Sequence, residues 1–180
     1  MMHEIIFSGF GGQGVIAAGR LLCIAAMHEG KYVSHIPSYG AEMRGGTANC
    51  SVIISDDEIA SPVVYQPSIL VTLNTPSFIK FVPRVKQGGI VIYNTSLIDE
   101  VLNRTDLRGI GIPANELSER EGSNRGANMA VLGKLLKLVP DICSLDSLFA
   151  ALAEGLSSRS AKYNEINIRI LKAGYAYEND

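Results

Sequence analysis

Cysteine is scarce and scattered in this 180-residue chain: Cys23, Cys50 and Cys143 stand far apart and form no C-x-x-C pair. That spacing excludes a disulfide framework and the ligand runs of iron–sulfur and zinc sites. It leaves the three residues as small buried hydrophobes. His3, His28 and His35 are equally dispersed, so no metal site is expected. No apolar run approaches the ~18 residues of a membrane helix. The formal charge is only −2, which gives no basic field to draw in nucleic acid. Met1 to Phe7 moves directly into a strand pattern and lacks the charged region and cleavage site of a secretory signal, so the expected compartment is the cytoplasm.

What is present suits a globular α/β protein. Apolar residues make up 47% of the chain and charged ones 19%, enough to build a core, and the length fits a single domain spanning 1–180. Ile5-Ile6-Phe7 reads as a buried strand. Gly14 to Glu29 reads as a helix apolar around most of its circumference, with Arg20, His28 and Glu29 on a narrow polar side; Gly30 ends it. Tyr32 to Ile36 is the second strand. Strand, glycine loop, helix, strand is the opening of a doubly wound, mostly parallel Rossmann-like sheet. Further strands are expected at Ala48–Ile54, Ile69–Leu73, Ile90–Tyr93 and around Ile110–Ile112. Thr75-Pro76 predicts an N-cap and first helical position for a short helix that Pro83 interrupts. The C-terminal part, about 124–174, is helical. Asn124 and Ser144 are expected caps, Lys134 and Lys137 lie outside the apolar stripe, and Gly174 ends the last helix before a polar tail.

Gly9-Phe10-Gly11-Gly12-Gln13-Gly14 fits G-x-G-x-x-G between a strand and a helix. Glycines allow positive φ and close approach, and the helix start favours a phosphate or carboxylate. The competing reading is a glycine turn that packs strand on helix and binds nothing. A dinucleotide site also needs an acidic residue at the end of the second strand. Tyr32-Val33-Ser34-His35-Ile36 has none, and Glu29 comes too early. No Lys-Ser/Thr pair follows Gly14, so this is not a P-loop either.

The second unusual segment is Ser38-Tyr39-Gly40-Ala41-Glu42-Met43-Arg44-Gly45-Gly46. In a parallel sheet it leaves the carboxyl end of strand two, beside the first loop, at the edge where such sheets bind ligands. Arg44 is suited to grip a phosphate or a partner's carboxylate, or equally to pair with Glu42. With Val52-Ile53-Ile54-Ser55-Asp56, Pro67-x-x-Leu70 and Gly88-Gly89-x-Val91, these two loops resemble the γ subunits of 2-oxoacid:ferredoxin oxidoreductases over most of residues 3–135. The form is nearest the 2-oxoglutarate or general keto-acid branch, with the indolepyruvate and pyruvate branches open.

The resemblance implies an accessory subunit in oxidative decarboxylation of a 2-oxoacid to an acyl-coenzyme A. Thiamine diphosphate with its Mg2+ would sit on α and β partner subunits, and iron–sulfur clusters would pass electrons to a ferredoxin-like subunit. This chain lacks a Gly-Asp-Gly…Asn thiamine motif and cluster cysteines. The implied contact residues toward coenzyme A or the partner subunits are Gly9, Gly11, Gly12, Gln13, Gly14, Ser38, Tyr39, Glu42, Arg44, Gly45 and Gly46, with no catalytic residue among them. The isolated chain is expected to self-associate as a homodimer. The alternatives are an independent Rossmann-type nucleotide-binding protein and a purely structural α/β module.

Overall fold

The computed structural model describes residues 1–38, 47–155 and 163–178. Short apolar runs become strands: β1 (Met2–Gly9), β2 (Tyr32–Ser38), β3 (Ala48–Ser55), β4 (Ile69–Thr72), β5 (Ile90–Asn94) and β6 (Arg108–Ile112). They form one six-stranded sheet in the order β2-β3-β1-β4-β5-β6. β1, β4, β5 and β6 are parallel neighbours, whereas β3 runs antiparallel to both β1 and β2.

The sheet is mostly parallel, as expected, but its second strand is not where a doubly wound opening would place it. β3 separates β2 from β1. Composition explains the exchange. β3 carries Cys50, Val52 and Ile54 into the core on one face and Ile53 on the other, as a strand covered on both sides requires. β2 is only partly buried and contains Pro37, which offers no N–H to a ladder, so it suits the edge.

Helices α1 (Val15–His28), α3 (Ala114–Arg120), α4 (Ala127–Leu138), α5 (Leu145–Gly155) and α6 (Asn164–Ala176) contribute to the larger core on one face of the sheet. The other face is covered by the short α2 (Thr75–Phe81), a 3₁₀ turn at Val82–Arg84 and loop residues such as Val64 and Ile98. Pro83 does interrupt that helix. Its N-cap is Asn74 rather than Thr75: Asn74 Oδ1 accepts the Ser77 N–H at 2.9 Å.

Three helical details depart from expectation. α4 begins after Gly126 with no side-chain cap, so Asn124 lies outside it. Lys134 is buried, not outward, because α6 and the following segment cover it; its Nζ donates to the Tyr177 carbonyl at 2.6 Å. Gly174 does not end α6, which continues to Ala176. A Cβ there would drive into the Ala130 carbonyl of α4, and one on Gly133 would drive into Leu171 of α6. The glycines bring the two helices together rather than stop one. Ser144 caps α5 as expected, its Oγ accepting the Ser147 N–H at 3.2 Å, and Glu29 from the end of α1 accepts the Ser144 N–H at 2.6 Å. The expected start of the last helix, near Ser158, lies outside the described residues.

Candidate functional site

Strand register brings the glycine loop to the carboxyl edge of the sheet. Gly9 closes β1 opposite Ala48 of β3, and Ser8 pairs with Thr72 at the end of β4. The Gln13 N–H then donates to the Phe10 carbonyl at 3.1 Å, folding residues 10–13 into a turn. Gly12 and Gly14 have φ of 95° and 74°, conformations that glycine adopts without a steric penalty. A Cβ on Gly9 would stand 2.6 Å from Gln13 Oε1, and one on Gly14 would stand 2.5 Å from Asn128 Nδ2. Gly11 is exposed in the turn.

The loop is braced from two sides. Asn128, in the first turn of α4, donates from Nδ2 to the Gly14 carbonyl at 3.2 Å. Gln13 Oε1 accepts the Phe10 N–H at 2.6 Å, and its Nε2 donates to the Leu73 carbonyl at 3.4 Å. That carbonyl also accepts Asn94 Nδ2 at 3.4 Å. Asn94 Oδ1 in turn accepts the Ala114 N–H at the start of α3. A hydrogen-bonded chain thus runs from the glycine loop across the ends of β4 and β5 to α3.

Beside the loop lies a cleft of about 450 Å³ lined by Phe10, Gly11, Gly12, Arg20, Ile24 and Ala48, among others. Ile16, Arg20 and Ile24 follow at four-residue intervals along one side of α1, so the wall is apolar with one guanidinium. The first amide groups of α1 have no partner within the helix. Residues 10–14 carry no titratable side chain. The arrangement can hold an anionic group or another backbone; among the described residues it contains no acid–base pair for chemistry of its own.

Ser38 ends β2 opposite Asn49, which also pairs with Ser8. Ser38 and Ser8 are therefore two strand spacings apart, about 10 Å. Both loops leave the same sheet edge, with β3 between them. Tyr39, Glu42, Arg44, Gly45 and Gly46 lie outside the described residues. Glu29 is engaged at the start of α5 and so is remote from any ribose role.

Other titratable groups nearby are structural. Burial pushes the thiols of Cys23, Cys50 and Cys143 up to about 12, so they are protonated small hydrophobes. His35 packs under α1 with Nε2 buried and without a hydrogen-bond partner among the described residues. Burial lowers its pKa first and the Arg20 charge adds to this, against a hydrogen bond to the Ile16 backbone. Among the described residues, no group of three or more His, Cys, Asp or Glu side chains gathers to hold a metal, and no helix is long and apolar enough to cross a membrane.

Sequence reasoning found the glycine loop but missed Asn128 and Asn94. A signal existed for Asn128: it is a polar residue directly before the apolar run Met129 to Leu132, and a buried amide needs partners.

The profile of the family described as pyruvate ferredoxin/flavodoxin oxidoreductase matches residues 4–177. The chain is 41% identical over 171 residues to the ketoisovalerate oxidoreductase subunit VorA of Methanothermobacter marburgensis, covering 95% of this chain and 35% of that protein. It therefore spans about a third of the length of that relative. It is 34% identical to the 2-oxoglutarate synthase subunit KorC of Methanocaldococcus jannaschii, covering 97% of this chain and 93% of that one. The crystal structure of the keto/oxoacid ferredoxin oxidoreductase γ subunit from Geobacter sulfurreducens superposes with a TM-score of 0.83 at 27% identity, covering 96% of each chain. A six-stranded sheet with this glycine loop, matched along nearly the whole chain, places the protein in the pyruvate ferredoxin/flavodoxin oxidoreductase family.

Proposed function

We propose that this chain, acting as one domain over 1–180, is the non-catalytic γ-type subunit of a cytoplasmic 2-oxoacid:ferredoxin oxidoreductase. The observation that carries the reading is the match to stand-alone subunits of similar length, KorC and the Geobacter γ subunit. The glycine loop supports it, being shaped for contact and carrying no acid–base pair. Thiamine diphosphate with Mg2+ and the iron–sulfur clusters, held by α, β and ferredoxin-like partners, supply the decarboxylation and electron transfer. This chain packs on the thiamine-bearing subunits. It helps form the coenzyme A site with Gly9, Gly11, Gly12, Gln13 and Gly14 of the first loop, Gln13 through its hold on the loop, and with Ser38, Tyr39, Glu42, Arg44, Gly45 and Gly46 of the second. The purified chain alone forms a homodimer. An independent dinucleotide-binding role is disfavoured because β3 displaces β2 from the place beside β1 where a ribose-binding carboxylate would stand.

The test is an anaerobic pull-down of the tagged chain from its native extract. Recovery of thiamine-diphosphate and iron–sulfur subunits, with dye reduction dependent on a 2-oxoacid and coenzyme A, is the expected result. Recovery of the chain alone would sink the reading. In the assembled complex, Arg44→Ala should raise the KM for coenzyme A or weaken assembly by ~1–3 kcal/mol, the range for leaving a hydrogen-bonding partner unsatisfied.

A further inference from the structure

Gln13 sits in the glycine loop, but its side chain turns away from the cleft and into the loop's own frame. Its two polar atoms are each engaged within the chain: Oε1 with the Phe10 N–H at 2.6 Å, Nε2 with the Leu73 carbonyl at 3.4 Å. The amide therefore bridges the ends of β1 and β4. In an open α/β sheet the crevice outside the strand ends is where a ligand's polar groups meet the loop. Here the Phe10 N–H already has its acceptor. The other side of the turn, Phe10, Gly11 and Gly12, faces the 450 Å³ cleft along α1. Gln13 is absent from the residues that line it.

We propose that Gln13 is a positioning residue, not a ligand contact: it closes the sheet-edge side of the loop and fixes Gly11 and Gly12 as the surface presented along α1. Gly9 is part of the device, because any side chain there would meet Gln13 Oε1. Asn128 holds the far end of the same loop through the Gly14 carbonyl. The loop is thereby set in one shape before anything binds, which lowers the ordering cost of binding. The functional half of this inference rests on the γ-subunit reading above.

Two measurements separate the inference from that reading. In the isolated chain, amide hydrogen exchange should show the Phe10 N–H protected without any ligand. Gln13→Ala should speed that exchange about tenfold while the strands keep their protection. Gln13→Glu, which keeps the acceptor for Phe10 but loses the donor to the Leu73 carbonyl, should restore part of the protection, and it serves as the second variant if Gln13→Ala does not fold. In the assembled complex, Gln13→Ala should raise the KM for coenzyme A about tenfold with kcat within about twofold, the effect of losing the ordering hydrogen bonds of its amide. A Phe10 amide that exchanges equally fast in the unmutated chain and in Gln13→Ala overturns the proposal. So does an unchanged KM in an active complex. A complex that does not use coenzyme A would sink the functional reading, and the exchange measurement would then decide the structural one.

Discussion

At the scale of single residues, the glycine loop separates two demands that its motif merges. Gly12 and Gly14 both hold positive φ, but among the described residues a Cβ on Gly12 would meet nothing within 4 Å, whereas one on Gly14 would strike Asn128. Gly12→Ala should therefore cost about 1 kcal/mol and Gly14→Ala up to about 3 kcal/mol, measured by denaturant unfolding. Equal losses would show that Asn128 does not constrain the loop. The motif predicted glycines; it gave no means of telling these two apart, because the clash comes from a helix over a hundred positions later. His35 carries a prediction in pH. Burial, followed by the Arg20 charge, holds its pKa below the ordinary imidazole value. The unfolded chain therefore takes up the proton first. His35 contributes fully above about pH 6.5, and that contribution falls as pH drops through the unfolded value toward the folded one. His35→Leu should flatten the loss of stability between about pH 7 and 5. Glu29 acts in a lower window. Burial raises its pKa, but hydrogen bonds from Ser144 and Ser147 outweigh this and leave it lowered, so its contribution is full above the ordinary carboxylate value and is lost as pH falls from that value through the lowered one.

At the scale of elements, the apolar strands β1, β4 and β5 and the long apolar α1 were legible because their patterns are strong and local. α3 was not: Ala-Asn-Glu-Leu-Ser-Glu-Arg carries too few apolar residues to show a stripe. Lys134 was misjudged for a different reason. The period of α4 marks which residues share a face, not whether another helix covers the opposite one, and α6 does. Gly174 was misjudged likewise, since a helix-ending glycine and a helix-crossing glycine look the same in sequence. Its role is testable: Gly174→Val would force α6 away from the Ala130 carbonyl and should cost about 3 kcal/mol or more, the upper range for overpacking. A fully stable variant would show that α4 and α6 can separate without loss. The Asn74 cap on α2 is a smaller case, and Asn74→Ala should cost about 1 kcal/mol.

At the scale of the whole molecule, the sequence showed the strands but not their order, because pairing β3 between β1 and β2 depends on contacts that no local pattern records. It put the glycine loop between β1 and α1, where the fold has it, while the network behind the loop stayed hidden for the same reason. The sheet's thinly covered face presents Met2, Tyr32 and Ile36, which are 58%, 48% and 41% exposed, on the side where α2 packs. Apolar side chains so placed favour association, and light scattering of the purified chain should report a dimer; a monomer at micromolar concentration would count against it. The close crossing of α4 and α6 also has a bearing on how the chain is made. Residues Ala127–Leu138 leave the ribosome well before Asn164–Ala176. Until α6 emerges, Ala130, Gly133 and the Lys134 ammonium have no cover, so the larger core cannot close. Completion of that core therefore waits on the synthesis of α6, and apolar surface uncovered in the meantime is of the kind that chaperones shield.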